Sequence, residues 1–247
     1  MKKPIALLAL FMAFFGCEET HKLTFEPVAI ESPRCAECPS VTIEIPEALD
    51  NSAVAKAINT ALREEIIYHL KFDEGKDVAT IEEAVASFTE GFHQIQQKFG
   101  GESAPWEAKI QGRVVYEDEH IITLSLNAYT FTGGAHGYGS TIFLNFDKAK
   151  GIELNPYQFF NDVEEFEEFA EAKFREQEKI PQEGNINQTG FMFEKNRFRL
   201  AENIAYTEEG LQIVYNQYEI ASYADGPIVL TIPFDEANTF LKYKVKS

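Results

Sequence analysis

Apolar residues recur along this chain with two different periods, and the changes of period divide it into elements. Residues 17–39 are polar, contain Pro and show no period, which reads as a tether. Val41, Ile43 and Ile45 then alternate with Thr42 and Glu44, predicting a strand ended by Pro46. Across 52–70, Val54, Ile58, Leu62 and Ile66, with Ala57 and Ala61 beside them, make one face of a helix. Thr80 and Glu83 form a capping-box pair for a second helix, whose stripe of Ile81, Val85, Phe88, Phe92, Ile95 and Phe99 stops at Gly100 and Gly101. Beyond it the period becomes two, and 106–116, 121–131 and 140–146 read as antiparallel strands. A third helix is expected from the cap Asn161 with Glu164, with Val163, Phe166, Phe169 and Phe174 facing inward and its Glu residues in water. After a polar linker over 181–188, runs at 198–206 and 211–218 flank a loop with the length and Gly of a hairpin. A strand over 228–232 and a short helix over 234–241 close the chain. Helices and antiparallel strands in separate runs, without βαβ alternation, predict an α+β fold. It has two N-terminal helices, then an antiparallel sheet with a third helix and a short C-terminal helix.

The first residues change the picture. Lys2 and Lys3, an apolar run over 5–15 and Gly16 before Cys17 make 1–16 a signal peptide, too short to cross roughly 30 Å of hydrocarbon as a permanent span. The Gly16-Cys17 end resembles the bacterial lipobox, with Phe14 and Phe15 departing from its usual Leu and small residue. The resemblance implies a Cys17 carrying palmitate-type acyl chains and a body in the cell envelope, lipid-anchored at the outer membrane on its periplasmic or surface face. Glu18 and Glu19 look like the acidic surface-export signals of some lipoproteins. An ordinary secreted protein is the alternative.

Charge then excludes partners. The chain has 40 Asp and Glu against 22 Lys and Arg, a net charge of −18. Without Lys2 and Lys3 the mature part carries 20 basic and 40 acidic residues, a net −20. Nucleic acid is disfavoured as a partner, as is an anionic lipid surface apart from the anchor, while a basic protein or peptide is attracted. The same charge also serves solubility.

Candidate chemistry is sparse. In an oxidising compartment Cys35 and Cys38 are expected as a local disulfide, ahead of free thiols and of a redox or metal role. No thioredoxin-like helix start follows them and no second ligand pair accompanies them. Serine-nucleophile signatures are absent, carboxylate pairs are uninformative among so many, and no metal or cofactor is predicted. The segment Tyr129-Thr-Phe-Thr-Gly-Gly-Ala-His-Gly137 stands out. Gly133 and Gly134 suit positive-φ positions and close approach of another backbone, with His136 at the mouth of the sheet.

That segment resembles the Tyr-x-x-Gly-Gly-Ala-His signature of the RsiV-like domain family, named for an anti-sigma factor whose extracellular part recognises lysozyme. A related copy precedes the catalytic domain of the peptidoglycan deacetylase PdaC. Leu154-Asn-Pro-Tyr-Gln-Phe-Phe160, Tyr218-Glu-Ile-Ala-Ser-Tyr-Ala-Asp-Gly226 and Ile232-Pro-Phe-Asp235 are similar to further motifs of the family. Residues 40–117 then look like the PdaC-type segment and 118–247 like the RsiV-like domain. The resemblance implies a non-catalytic module binding a muramidase-like protein or peptidoglycan glycan, with Tyr129, Gly133, Gly134, His136, Tyr138 and Tyr223 as its contact residues. An enzyme acting on envelope polysaccharide is the alternative.

Overall fold

The structure is a computed structural model that describes residues 22–32, 35, 38–73, 75–99 and 104–246. Cys17, the signal peptide and the Gly100-Gly101 stop lie outside the described residues. The chain is mixed α+β, but it opens on strands rather than on its two helices. The elements are β1 (Phe25–Glu31), β2 (Ser40–Ala48), α1 (Ala53–Leu70), α2 (Ile81–Phe99), β3 (Glu107–Glu117), β4 (Ile121–Phe131), β5 (Tyr138–Asp147) and β6 (Ile152–Glu153). They continue with α3 (Val163–Gln177), β7 (Ile204–Thr207), β8 (Gly210–Tyr215), β9 (Ile228–Ile232) and α4 (Phe234–Ala237).

Strands β1 to β6 form one sheet in chain order, and β7, β8 and β9 a second. Two corrections to the sequence expectation follow. Strand β1 occupies part of the stretch that has no hydrophobic period. It pairs antiparallel with β2 from Phe25↔Ala48 to Glu31↔Thr42, and as an edge strand it half-buries only Phe25, Val28 and Ile30, a pattern too short and interrupted by Pro27 to stand out. The first sheet is not wholly antiparallel either: β2 runs parallel to β3, Val41 beside Ala108 and Ile43 beside Ile110, with both helices in the crossover. A parallel pair requires such a long connection, and two helices provide it.

The helical face of α1 is the expected one, Val54, Ile58, Leu62 and Ile66 all being buried. Ser52 caps α1 through Ala55 N, and Thr80 and Glu83 exchange the two hydrogen bonds of a capping box at the start of α2. Of the α2 stripe, Phe88 and Phe92 pack on the Trp106 ring, whereas Phe99 is exposed. Alternate residues Leu124, Leu126, Ile110, Leu144 and Phe146 turn toward these helices and complete one core.

A second core fills the C-terminal half. Phe166 and Phe174 of α3 are buried there with Phe159, Tyr206, Ile213 and Tyr215, and Phe174 meets Phe193 edge-on at 5.4 Å. The α3 cap is Asp162, not Asn161, its carboxylate accepting from Glu164 N and Glu165 N. Of the 198–206 run only the end is strand, within Ile204–Thr207, and only Phe234–Ala237 of the closing run is helix.

The joint between the halves lies along β5. Strand β6 covers only Phe146 and Asp147 of that edge. Nearer the loop, side-chain amides replace a strand: Thr141 N donates to Asn216 Oδ1 at 2.8 Å and Phe143 N to Asn203 Oδ1 at 2.9 Å. Both amides donate back to Thr141 O, at 3.0 and 2.7 Å.

Candidate functional site

The β4–β5 hairpin closes its ladder at Thr130↔Tyr138, leaving 132–137 as its loop. Gly133 (φ +96°) and Gly134 (φ +92°) both take left-handed backbone with nothing within 4 Å of where a Cβ would stand, so dihedral freedom alone calls for glycine there. The close approach expected of them occurs at Gly137 instead, where a Cβ would stand 2.5 Å from the Tyr129 ring.

His136 projects from this loop onto the C-terminal half. Its ring stacks on Tyr223 with centroids 3.9 Å apart and planes at 19°. Its Nδ1 lies 3.2 Å from Gly137 O and its Nε2 3.3 Å from the Tyr218 hydroxyl. A neutral ring satisfies both if Nδ1–H donates to the carbonyl and Nε2 accepts from the phenol, an assignment made from this network. Tyr218 sits at φ +68°, uncommon for a bulky residue, in a turn where Glu219 N donates to Asn216 O and Asn216 N to the Glu219 carboxylate. Tyr223 opens a short turn boxed by Ser222 and Asp225.

The result is a tyrosine-rich end. Tyr129, Tyr138, Tyr218 and Tyr68 of α1 expose 38, 42, 53 and 78 % of their surface. Burial, then the Glu219 carboxylate and Tyr68, raise the Tyr138 hydroxyl pKa. Burial also raises that of Glu219. Gly133, half-buried, and Gly134, exposed, turn the loop that carries His136, while Tyr218, part of a quoted motif but not a predicted contact, joins His136 and Tyr223 directly.

A cleft runs from this end, where its lining is mainly apolar, to a more polar stretch across the outer face of the first sheet. One part, about 320 Å³, is lined by Tyr129, Gln111, Asn127, Thr141, Asn216 and Pro227. The next, about 400 Å³, shares Asn127, Thr141 and Pro227 and continues past Arg113, Ser125 and Gln212 to Glu208 and Glu209 of the β7–β8 turn. Within it Thr141 Oγ1 donates to Asn127 Oδ1 at 2.9 Å, and at its flank Gln111 donates to Glu44 at 2.9 Å. Ser125, 2 % exposed, has an Oγ without a hydrogen-bond partner among the described residues, at a cost on the order of 1–3 kcal/mol. These polar residues were not singled out from the sequence, because every second position of a one-sided strand is polar for solubility alone.

Cys35 and Cys38 are joined by a disulfide, with Cα atoms 5.2 Å apart, ahead of β2 and remote in sequence from the cleft residues. Among the described residues no three His, Cys, Asp or Glu side chains group as metal ligands, and no helix is long and apolar enough to cross a membrane.

Two protein families match the chain. The family described as "Deacetylase PdaC" matches residues 34–138, and that described as "Protein of unknown function (DUF3298)" matches residues 158–235. Residues 34–138 are thus similar to the first family and residues 158–235 to the second. The first takes in the Gly133–His136 loop, and the His136–Tyr223 stack bridges the two. Among solved structures, a DUF3298 family member from Bacteroides fragilis NCTC 9343 is similar at 18 % identity and TM-score 0.71, over 91 % of this chain and 96 % of that one. A DUF3298 family protein from Pseudomonas aeruginosa PAO1 is similar at 21 % identity and TM-score 0.63, over 91 and 97 % of the two chains. These likenesses establish a shared fold. No curated protein matches the chain.

Proposed function

We propose that this chain, a PdaC segment followed by a DUF3298 segment, is a lipid-anchored envelope protein whose body binds a cationic protein, of which a muramidase is the model partner, without catalysis. The single observation that carries the reading is the tyrosine-rich end. His136 is stacked on Tyr223 and bonded to Tyr218, with Tyr129 and Tyr138 exposed beside it and Glu219 and Asp225 among them. Tyrosines give amphipathic contact area at little cost in side-chain entropy, and they are enriched where proteins meet. A net charge of −18 attracts a basic partner over a Debye length of about 8 Å at physiological salt. The RsiV-like resemblance of the Gly-Gly-Ala-His loop, whose namesake recognises lysozyme, supports the same partner.

Binding of the purified chain to hen lysozyme, measured by calorimetry at low and raised salt, tests this. Affinity should fall as salt rises, and Tyr223→Ala and His136→Ala should each weaken it about tenfold or more with the fold retained by circular dichroism. Unchanged affinity in both variants would sink the proposed surface. The second reading, an enzyme on envelope polysaccharide, draws on the description of the family matching 34–138 and on Glu208 and Glu209 in the cleft. Release of acetate or reducing ends from peptidoglycan by the chain, lost in Glu208→Gln or Glu209→Gln, would establish it instead.

A further inference from the structure

We propose that the cleft on the outer face of the first sheet is a second ligand site, built to hold a carboxylate-bearing saccharide with the carboxylate at Arg113.

The argument begins with what the cleft's polar groups lack. Arg113, Ser125 and Gln212 all line the larger part of the cleft, and none of their side chains has a hydrogen-bond or ion-pair partner among the described residues. Of the five described arginines only Arg175 has a side-chain hydrogen bond or ion pair, and of the unpaired ones the exposed Arg113 is the one that lines this cleft, with Glu208 and Glu209 there not bonded to it. Arg113 and Ser125 are directly opposite one another in the β3–β4 ladder. Side chains so placed stand about 5 Å apart, a spacing that lets a guanidinium and a hydroxyl donate to one carboxylate together. The serine is nine-tenths buried and more, so its hydroxyl gains a partner only from something that enters the cleft.

The rest of the lining fits a sugar. Asn127 keeps its amide N–H groups for a ligand while its carbonyl accepts from Thr141, and Gln212 offers both a donor and an acceptor. Val229, 39 % exposed, and Pro227 present an apolar wall of the kind that covers the C–H face of a pyranose. A volume of about 400 Å³ that opens into a further 320 Å³ past Asn127 and Thr141 gives room for more than one ring along a chain. Net negative charge repels an anion at long range, so discrimination in favour of a carboxylate depends on Arg113, the one arginine lining the cleft. That makes its removal decisive.

The test is calorimetry on the full chain with three disaccharides. Two carry a carboxylate from different sources, the lactyl ether of an N-acetylglucosaminyl–N-acetylmuramic acid and the uronate of digalacturonic acid, and chitobiose is neutral. At least one acidic disaccharide should bind tenfold or more tighter than chitobiose, and which of the two does so identifies the source. Arg113→Gln should abolish that advantage. Ser125→Ala should reduce it severalfold with a melting temperature no lower than wild type, Arg113→Gln should keep the wild-type melting temperature, and both variants should keep the affinity for lysozyme. Equal binding of all three sugars, no acidic binding at millimolar concentration, or full discrimination in Arg113→Gln would overturn the proposal. Because Tyr223→Ala leaves the cleft untouched, loss of lysozyme binding with sugar binding retained, or the reverse, tells failure of one site from failure of the other.

Discussion

Asp147, at the end of β5, shows how one side chain ties distant parts of the chain. Its carboxylate accepts from the Lys150 ammonium at 2.8 Å, from Lys150 N at 2.9 Å and from the Tyr243 hydroxyl at 2.6 Å, fastening the C-terminal segment to the first sheet. Burial works to raise its pKa, but these donors outweigh burial and hold it down to about 2, against an ordinary 3.8. A carboxyl depressed in the folded state stabilises the fold above its unfolded pKa and loses that contribution as the pH falls through the folded value. Between about pH 4 and pH 2 the chain should therefore lose about 2 kcal/mol from this residue. Asp147→Asn should lower stability at pH 7 by a similar amount and flatten the pH dependence in that window, as read by urea denaturation at pH 7 and pH 3.

Between elements, the consequential device is the set of amides along the open edge of β5. Asn203 satisfies Phe143 N–H and Thr141 C=O at once, doing for the C-terminal half what a neighbouring strand would do. Asn203→Ala deletes both bonds and leaves a strand N–H unpaired. It should cost about 2 kcal/mol and lower the melting temperature by roughly 4–8 °C, measured by calorimetry, while Asn203→Asp should rescue only the acceptor half. These amides also mark the limit of what the sequence discloses. Buried faces are legible because burial imposes a period: Val54, Ile58, Leu62 and Ile66 announce α1, and alternation announces β4. Asn203 and Asn216 are single polar residues in loops and look like ordinary turn formers. Strand β1 alternates only over Val28 to Glu31 and fully buries no residue, and the parallel pairing of β2 with β3 is a relation between segments that no local pattern encodes. For the site, the glycines and His136 were visible as a rare motif. Tyr218 was hidden in plain view within a quoted segment, and Arg113, Ser125 and Gln212 were indistinguishable from a solvated strand face.

At the scale of the whole molecule, the two halves meet at the proposed surface, since the segment similar to the PdaC family supplies His136 and the segment similar to the DUF3298 family supplies Tyr223 beneath it. On the proposed attachment through Cys17, labelling cells with an alkynyl palmitate should tag the protein. Cys17→Ala should abolish the tag and move the chain from the membrane to the soluble fraction. The order of the first sheet then sets how that attachment behaves. Leu23 N donates to Glu117 at 2.9 Å and Thr24 N to Asp50 at 2.7 Å before β1 begins at Phe25, so the body takes hold of its own chain from residue 23 onward. Six residues, 17–22, are all the leash that is left, with a fully stretched reach of only about 20 Å. Held by the proposed anchor, such a molecule would not roam at the end of a long string. It would skim the lipid headgroups, and a partner would have to come down to the membrane to be caught.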